Sequence, residues 1–150
     1  MNWSYIAGFF DGEGSITHNS GIGFRISIPQ TNEEVLNEIR NFAKVGNIIA
    51  LKKRRAHWSD SWIYYIANKK DVCMFLEKML PYLVLKKIPV QTVVNSLKKQ
   101  ILEIKKRKRL HDTRKSKAKL LKLRGWNYRK IAKKLKMDWG YARRLILDLA

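Results

Sequence analysis

The chain has 150 residues, of which 32 are Lys or Arg and 12 are Asp or Glu, giving a formal net charge of +20. With 45% hydrophobic and 11% aromatic residues, it is too apolar to be a disordered polycation. No apolar run approaches the roughly 18 residues of a membrane span, and the one cysteine excludes an intrachain disulfide and a Cys-rich zinc site. We therefore expect an intracellular, cytoplasmic protein (an organelle fits as well) with a polyanionic partner and no membrane partner.

The positive charge is concentrated in the last third of the chain. Residues 105–150 hold 18 Lys/Arg and three Asp, against 14 Lys/Arg and nine Asp/Glu in residues 1–104. The run 105–109 marks the change, and we predict a core domain over 1–105, a basic linker or helix extension over 106–117 and a small helical domain over 118–150. Such a tail favours contact with phosphates, because each neutralised phosphate releases counterions. A solvated surface or a localisation signal is the alternative.

Helices and β-hairpins alternate along the core. A short apolar helix over 4–12 is followed by a hairpin of strands 15–17 and 23–28, and a helix then begins at 31–34 and ends at 46–47. A second hairpin, 48–55 with 61–67, precedes a helix over 68–80 that Pro81 stops and another over 90–106 after Pro89. The predicted order, αββαββα, makes an α+β layer with one face of an antiparallel sheet left open.

That open face is predicted to be polar and cationic. In the first hairpin, apolar Ile16, Phe24, Ile26 and Ile28 alternate with polar residues, which predicts one dry and one wet face. An antiparallel sheet with a cationic face can enter a DNA groove. The candidate DNA contacts are Ser15, Thr17, Asn19, Arg25, Ser27, Lys53 and Arg55, with Tyr65 on a strand whose parity is ambiguous. Trp58 and Trp62 suit the core, a dimer interface or base stacking equally well.

The first helix carries two glycines on one face and two acids at its C-terminus. Gly8 and Gly12 are four residues apart, hence on one face, where they would let a second helix approach closely. Asp11 and Glu13 lie at the helix C-terminus, where their charge adds to the negative end of the dipole. A divalent cation would relieve that conflict, and two copies packed at the glycines would bring two Glu13 side chains together. The alternative is a buried helix whose acids only cap and hydrogen-bond.

The tail is predicted to contain three short helices, over 117–124, 128–136 and 139–149. The stretch 123–145 resembles the helix-turn-helix of resolvase and invertase recombinases, most closely over 128–135. The resemblance implies that the last helix is a recognition helix in a major groove. Its candidate DNA contacts are Trp139, Gly140, Tyr141, Arg143 and Arg144, and the alternative is a protein-docking module.

Residues 6–14, Ile-Ala-Gly-Phe-Phe-Asp-Gly-Glu-Gly, resemble the LAGLIDADG motif of homing endonucleases. The order αββαββα is that of the family's core, so the resemblance covers about residues 1–105. It implies a saddle-shaped antiparallel sheet, here followed by a small all-α helix-turn-helix. The single copy of the motif resembles the homodimeric branch of the family.

The resemblance also implies roles for individual residues. Glu13 matches the acid that coordinates the catalytic metal, and Gly12 the position whose carbonyl lies beside it. Gln30 matches the residue that orients the attacking water, and Lys86 a lysine near the scissile phosphate, with Lys87 as its nearest rival and a further DNA contact. The implied cofactor is Mg²⁺, with Ca²⁺ or Mn²⁺ able to substitute in binding. Departures from the family pattern are the Glu in place of Asp, Pro29 before Gln30 and the short first hairpin.

The predicted function is site-specific cleavage of double-stranded DNA by a metal-dependent homodimer acting on a long, roughly palindromic target, as in an intron-borne homing endonuclease. Two alternatives use the same residues differently: an RNA-binding maturase that assists intron splicing, and a DNA-binding regulator with an inactive site.

Overall fold

The structure, a computed structural model, describes residues 1–21, 23–52, 57 and 59–147. The chain divides into two compact units, Met1–Ile101 and Leu102–Ala150, each with a hydrophobic core. None of the described helices has the length and apolar character needed to cross a bilayer.

The elements follow the predicted order, and the α+β fold class is confirmed. They are α1 (Trp3–Glu13), β1 (Ser15–Asn19), β2 (Gly23–Gln30), α2 (Glu33–Ala43), β3 (Asn47–Leu51), β4 (Ser61–Ile66) and α3 (Lys69–Met79). A 3₁₀ turn over Leu80–Tyr82 precedes α4 (Lys87–Leu123), α5 (Tyr128–Leu135) and α6 (Trp139–Leu147).

The four strands form one antiparallel sheet in the order β1-β2-β4-β3. Ser15 pairs with Ser27, Ser27 with Tyr65, and Tyr65 with Asn47, so these four residues form a row on one face. The alternate residues of β2 and β4 are buried on the other face, among them Ile26, Ile28, Tyr64 and Ile66. The predicted dry and polar faces are therefore both present, and the register places Tyr65 on the polar one.

Helices α1 and α3 pack on the dry face of the sheet. Trp3, at the start of α1, contacts both α2 and α3. The Trp3 ring meets Phe42 of α2 and Phe75 of α3 edge-on, with ring centroids 5.3 and 5.6 Å apart. On β4, the buried Tyr64 hydroxyl donates to the Val45 carbonyl at 2.7 Å. Burial raises the pKa of Tyr64, so the hydroxyl stays a donor throughout the ordinary pH range.

Helix α4 differs from the prediction. It begins at Lys87, before Pro89, because a proline in the first turn loses no helical hydrogen bond. It also continues through 106–117 to Leu123, so the predicted helices over 90–106 and 117–124 are parts of one helix. The basic segment 106–117 is therefore a helix extension and not an irregular linker. Residues 90–124 contain neither Gly nor Pro, and the Thr113 and Ser116 hydroxyls donate to carbonyls one turn earlier.

The second unit is built around α5, a three-residue turn and α6. Its core contains Ala118, Ile131, Ala132 and Ala142, with partly buried Trp126, Leu135 and Met137 packed against them. Asn127 Oδ1 accepts from the Lys130 N–H at 2.8 Å and caps α5. Asp138 Oδ1 accepts from the Tyr141 N–H at 3.1 Å at the start of α6. Asn and Asp are both among the residues preferred at helix N-termini.

Candidate functional site

Gly14 joins the C-terminus of α1 to β1, at a position where a side chain does not fit unless its surroundings shift. The Gly14 N–H donates to the Phe10 carbonyl at 2.9 Å and closes the helix. A side chain at Gly14 would overlap the buried Phe10 ring. The chain therefore turns from α1 into β1 at a fixed point, directly after Glu13.

Asp11 ties this turn to the segment that precedes α4. Its carboxylate accepts the N–H groups of Val84 at 2.7 Å, Leu85 at 3.2 Å and Lys86 at 2.9 Å. Burial opposes the charge of Asp11, but these hydrogen bonds and the charge of Lys86 outweigh it and lower the pKa of the carboxyl. Asp11 is thus held in place by the fold.

Lys86 caps the same helix end. Its Nζ donates to the Phe10 carbonyl at 2.9 Å and to the Asp11 carbonyl at 2.6 Å, and it lies 5.5 Å from the centre of the Phe10 ring. An ammonium has three N–H donors, so one is left for a further acceptor. Lys87, the other candidate, is an exposed residue at the start of α4. Of the two lysines, the structure brings Lys86 to the α1 terminus.

Glu13 and Gly12 are exposed at this terminus. The carboxylate of Glu13 is the acidic group left over there, because Asp11 is occupied by three N–H donors. The donor set of a carboxylate and main-chain carbonyls is all oxygen, which suits Mg²⁺. The described residues contain no cluster of three or more His, Cys, Asp or Glu that could hold a metal.

Gln30 lies at the same end of the sheet. Strand β1 starts at Ser15 opposite Ser27, and β2 continues three residues further to Gln30. The Gln30 Oε1 accepts from the Thr31 N–H at 2.7 Å and from the Thr31 hydroxyl at 3.2 Å. These bonds fix the side-chain carbonyl and leave the amide NH₂ as a donor. Pro29 does not end β2, because β2 runs through it to Gln30.

The polar sheet face holds a cation that the fold has already positioned. The Arg25 guanidinium lies over the Tyr65 ring, 4.5 Å from its centre. Among the described residues, Arg25 Nε is the buried side-chain nitrogen or oxygen without a hydrogen-bond partner. Ser15 and Ser27 are joined Oγ to Oγ at 3.0 Å, and Thr17 and Asn19 are exposed on β1. Lys53, Arg55 and Trp58 lie outside the described residues. Trp62 is partly buried and packs against the core, which is one of the three roles considered for it.

Helix α1 has a second, uncovered face. Among the described residues, no atom lies within 4 Å of the place where a side chain would begin at Gly8 or Gly12, so their packing does not demand glycine there. Beside them, Tyr5 is 49% exposed and its ring stacks on that of Phe9 with centroids 6.1 Å apart. This face is the candidate dimer interface.

In the second unit, the tail candidates Trp139, Tyr141, Arg143 and Arg144 differ in burial. Arg143 and Arg144 are exposed, as is Trp139, whose side chain is 55% accessible. Tyr141 is half-buried beside Ala142, which belongs to the core, so it lies at the edge of the exposed surface.

Two features of the site escape sequence reasoning. The contacts of Asp11 and Lys86 join residues 73 to 76 positions apart, and no local pattern encodes such a pairing. The stacking of Arg25 on Tyr65 depends on the register of β2 with β4, which hydrophobic alternation alone leaves open.

Comparison with known proteins gives one family and a set of similar folds. A model of the LAGLIDADG-like domain matches residues 2–79. The archaeal intron-encoded homing endonuclease I-Vdi141I, solved with DNA, superposes with a TM-score of 0.50 at 22% identity over 97% of this chain and 94% of that one. The meganuclease I-AabMI, bound to uncleaved DNA, gives a TM-score of 0.51 at 20% identity over 79% of this chain and 44% of that one.

The homing endonuclease I-CvuI, solved with its target in the presence of Ca²⁺, gives a TM-score of 0.50 at 22% identity over 65% of this chain. The chain spans 66% of the length of I-CvuI. No curated protein matches the chain significantly by sequence. At these identities the superpositions establish the fold.

Proposed function

The chain belongs to the LAGLIDADG homing endonuclease family, and from that premise we propose that it cleaves double-stranded DNA at specific sites, as a homodimer with a divalent cation at Glu13. The observation that carries the proposal is the pairing at the end of α1. There, an exposed Glu13 carboxylate stands two residues from Asp11, whose backbone carbonyl holds the Lys86 ammonium.

The charges around this turn suit a phosphodiester. Lys86 keeps one N–H donor beyond its two carbonyl partners, and this donor is available to an oxygen of the scissile phosphate. A fixed cation there stabilises the negative charge that grows on the phosphate as a water attacks. Because Asp11 and Lys86 are locked to each other's backbones, the ammonium does not have to reorganise during the reaction.

Gln30 is the residue that we assign to the attacking water. Its carbonyl is held by Thr31, so the amide NH₂ is oriented and can hydrogen-bond a water at the end of the sheet where β1 begins. Glu13 with the carbonyl of Gly12 would hold the cation. When bound, Mg²⁺ supplies Lewis-acid stabilisation of the phosphate charge, and Ca²⁺ or Mn²⁺ can take the same oxygen ligands.

The homodimer follows from what one chain lacks. One copy contributes one free carboxylate to the site, and the uncovered face around Gly8 and Gly12 lies on the same helix that carries it. Packing two α1 helices at that face brings two such helix ends together, one for each DNA strand. The polar face with Arg25, Ser27 and Tyr65 then contacts one half-site per subunit, which makes a roughly palindromic target the expected substrate.

The test is Glu13→Gln, with Glu38→Gln on α2 as a control that removes one exposed carboxylate elsewhere. The side chain keeps its size, loses the charge that holds the cation and no longer repels phosphate. We expect binding of a duplex selected in Ca²⁺ to persist or tighten. Cleavage in Mg²⁺ should fall by roughly 10²-fold or more, since the cation supplies several kcal/mol of charge stabilisation.

Other results point to the other classes. Equal cleavage by Glu13→Gln and the parent at equal DNA binding rejects Glu13 as the metal ligand. Duplex binding without any cleavage by the parent, across Mg²⁺ and Mn²⁺, identifies a DNA-binding regulator. Tighter binding to a folded intron RNA than to duplex DNA identifies a maturase.

A further inference from the structure

The open face of the sheet carries an apolar area next to its polar row. One step along the strands from Tyr65, Pro29 pairs with Ile63 and Ile63 pairs with Ile49. Leu51 follows Ile49 on the same side of β3, because alternate residues of a strand share a face. These four residues, Pro29, Ile49, Leu51 and Ile63, form the apolar patch.

We propose that the apolar patch reads thymine in the duplex target, through the 5-methyl group that this base presents in the major groove. The inference rests on the proposed function in taking duplex DNA as the molecule that the open sheet face contacts. It adds a base preference that is set by apolar side chains and not by the cations of the same face.

The patch lies on the side of the sheet away from the core. Ile48, Trp62 and Tyr64 belong to the core or pack against it, so the residues between them lie on the opposite face. There, Ile49 is 45% exposed and Leu51 is 41% exposed. A ligand that covers these side chains gains the free energy of removing their apolar surface from water.

The surroundings of the patch favour nucleic acid over a protein partner. The Arg25 guanidinium lies on the same face, over the Tyr65 ring, and the chain carries a net charge of +20. A stable protein interface takes roughly 20–30 residues from each side, whereas this patch is small and is bordered by Ser27, Asn47 and Ser61. A small apolar area beside a fixed cation suits a DNA groove, where base edges lie between two rows of phosphates.

Thymine is the base that an aliphatic side chain can recognise. Its major-groove edge has a methyl group beside O4, whereas the edges of adenine, guanine and cytosine present hydrogen-bonding groups. An apolar patch leaves such groups unpaired and therefore disfavours those bases. Uracil lacks the methyl group, and side chains cannot read the narrow major groove of an A-form duplex, so the patch also favours DNA over duplex RNA.

The size of the patch limits the preference to a short stretch. Ile49 and Leu51 are two residues apart on β3, which is about 7 Å at the rise of a strand. Base pairs succeed one another every 3.4 Å or so, hence this distance corresponds to roughly two base-pair steps. We therefore expect thymines to be preferred at two or three adjacent positions of each half-site, roughly the length that the patch covers.

The experiment replaces thymine by uracil, which removes the methyl group and keeps the base pair. A duplex is first selected from a random-sequence library with the full-length protein in Ca²⁺, and each thymine in it is then replaced singly. For the parent, we expect affinity to fall about 4-fold at adjacent positions, the effect of one methyl group leaving an apolar contact. Replacement at other positions should leave affinity unchanged.

The key variant is Ile49→Thr with Leu51→Thr, two exposed positions on β3. Threonine is well tolerated in strands, but its hydroxyl gives the methyl group no apolar contact. We expect this variant to bind the thymine and uracil duplexes equally at one or more of the positions where the parent distinguishes them. The matched control, Leu102→Thr with Ile104→Thr on α4, changes the same residue types at exposures of 52% and 51% and should keep every uracil effect.

Three outcomes overturn the inference: a selected duplex without conserved thymines, no loss of affinity at any uracil position, or undiminished uracil effects in the key variant. Thermal melting checks that all variants keep the parent fold. A change in sedimentation of the key variant with an unchanged uracil profile assigns the patch to a protein contact and also rejects the inference. Since binding in Ca²⁺ needs no cleavage, a uracil effect at the patch without cleavage in Mg²⁺ supports this inference and rejects the nuclease.

Discussion

At the scale of residues, the two acids at the end of α1 have opposite surroundings although only Gly12 separates them. Asp11 accepts three backbone N–H groups from the segment before α4, whereas Glu13 is exposed. The Asp11 carboxylate therefore joins distant parts of the chain, whereas the Glu13 carboxylate stays accessible to a ligand. Substituting each acid should have different consequences.

For Asp11→Asn we expect a loss of about 1–3 kcal/mol in the free energy of unfolding at neutral pH, because hydrogen bonds to a charged acceptor are weakened and one amide group mispairs. The pKa of Asp11 is lower in the folded protein than its ordinary value. Its bonds thus stabilise the fold above the unfolded-state pKa of about 3.9, and that stabilisation is lost as the pH falls through the lower folded value. Urea unfolding from pH 2 to 7, in EDTA, measures this. If the free energy of unfolding depends on pH in the same way for the parent and for Asp11→Asn, the hydrogen bonds of Asp11 do not stabilise the fold.

A second prediction at this scale concerns Arg25 and Tyr65 on the polar sheet face. Tyr65→Phe keeps a ring under the guanidinium, whereas Tyr65→Ala removes it and frees Arg25 to sample other rotamers. We expect Tyr65→Ala to weaken binding of the selected duplex about 3- to 30-fold and to relax the sequence preference, while Tyr65→Phe stays near the parent. Fluorescence anisotropy on the selected duplex and on single-base variants measures both. If the phenyl and alanine variants behave alike, the ring does not position Arg25.

At the scale of elements, α1 has two different sides built from one sequence. Its buried side carries Ile6, Ala7 and Phe10, and its uncovered side carries Gly8 and Gly12 in open space. Glycine in a helix interior costs about 1 kcal/mol relative to alanine, a cost that the chain's own packing does not explain. A close contact with a second helix gives that cost a physical reason.

Gly8→Leu tests this element directly. The leucine fits the isolated subunit, because no atom lies within 4 Å of its first side-chain carbon, and helix propensity should raise monomer stability by roughly 0.5–1 kcal/mol. In the dimer the same side chain separates the two helices, so we expect a monomer and loss of double-strand cleavage. Sedimentation and melting measure the two effects, and Glu38→Gln serves as the exposed control. If Gly8→Leu is still a fully active dimer, the two α1 helices do not pack against each other at Gly8.

At the scale of the whole molecule, the two units divide the charge unequally. Residues 107–150 carry 16 Lys/Arg and three Asp, a net of +13 out of +20, whereas the site residues Glu13, Gln30 and Lys86 all lie in the first unit. Under the proposed function, the chemistry and most of the electrostatic attraction to DNA would thus be encoded in different parts of the chain.

Truncation after Lys106 should lower the affinity for duplex DNA steeply and flatten its salt dependence. Each phosphate contact that is lost reduces the slope of log K against log salt by about 0.9. Cleavage should persist at high protein concentration, because the first unit keeps its own core and its site. Filter binding from 50 to 300 mM salt, roughly the range over which counterion release dominates, provides the measurement. An unchanged affinity and slope would assign the tail to a partner other than DNA.

Local patterns in the sequence determined the order of elements, the two sheet faces and the glycines and acids of α1, because hydrophobic period, turn residues and caps act over a few neighbours. The resemblance of residues 6–14 and the order of elements proposed Glu13, Gln30 and Lys86 as site residues, and this stays a prediction. Only the tertiary structure decided that Asp11 holds the backbone of Val84–Lys86, that Lys86 caps α1 and that Tyr65 supports Arg25. These contacts join residues 40 to 76 positions apart, and their geometry is set by register and packing, which no short stretch of sequence contains. The continuity of α4 was decided at the same level: its solvated basic segment has no apolar stripe to reveal a helix, and only the absence of Gly and Pro indicates one.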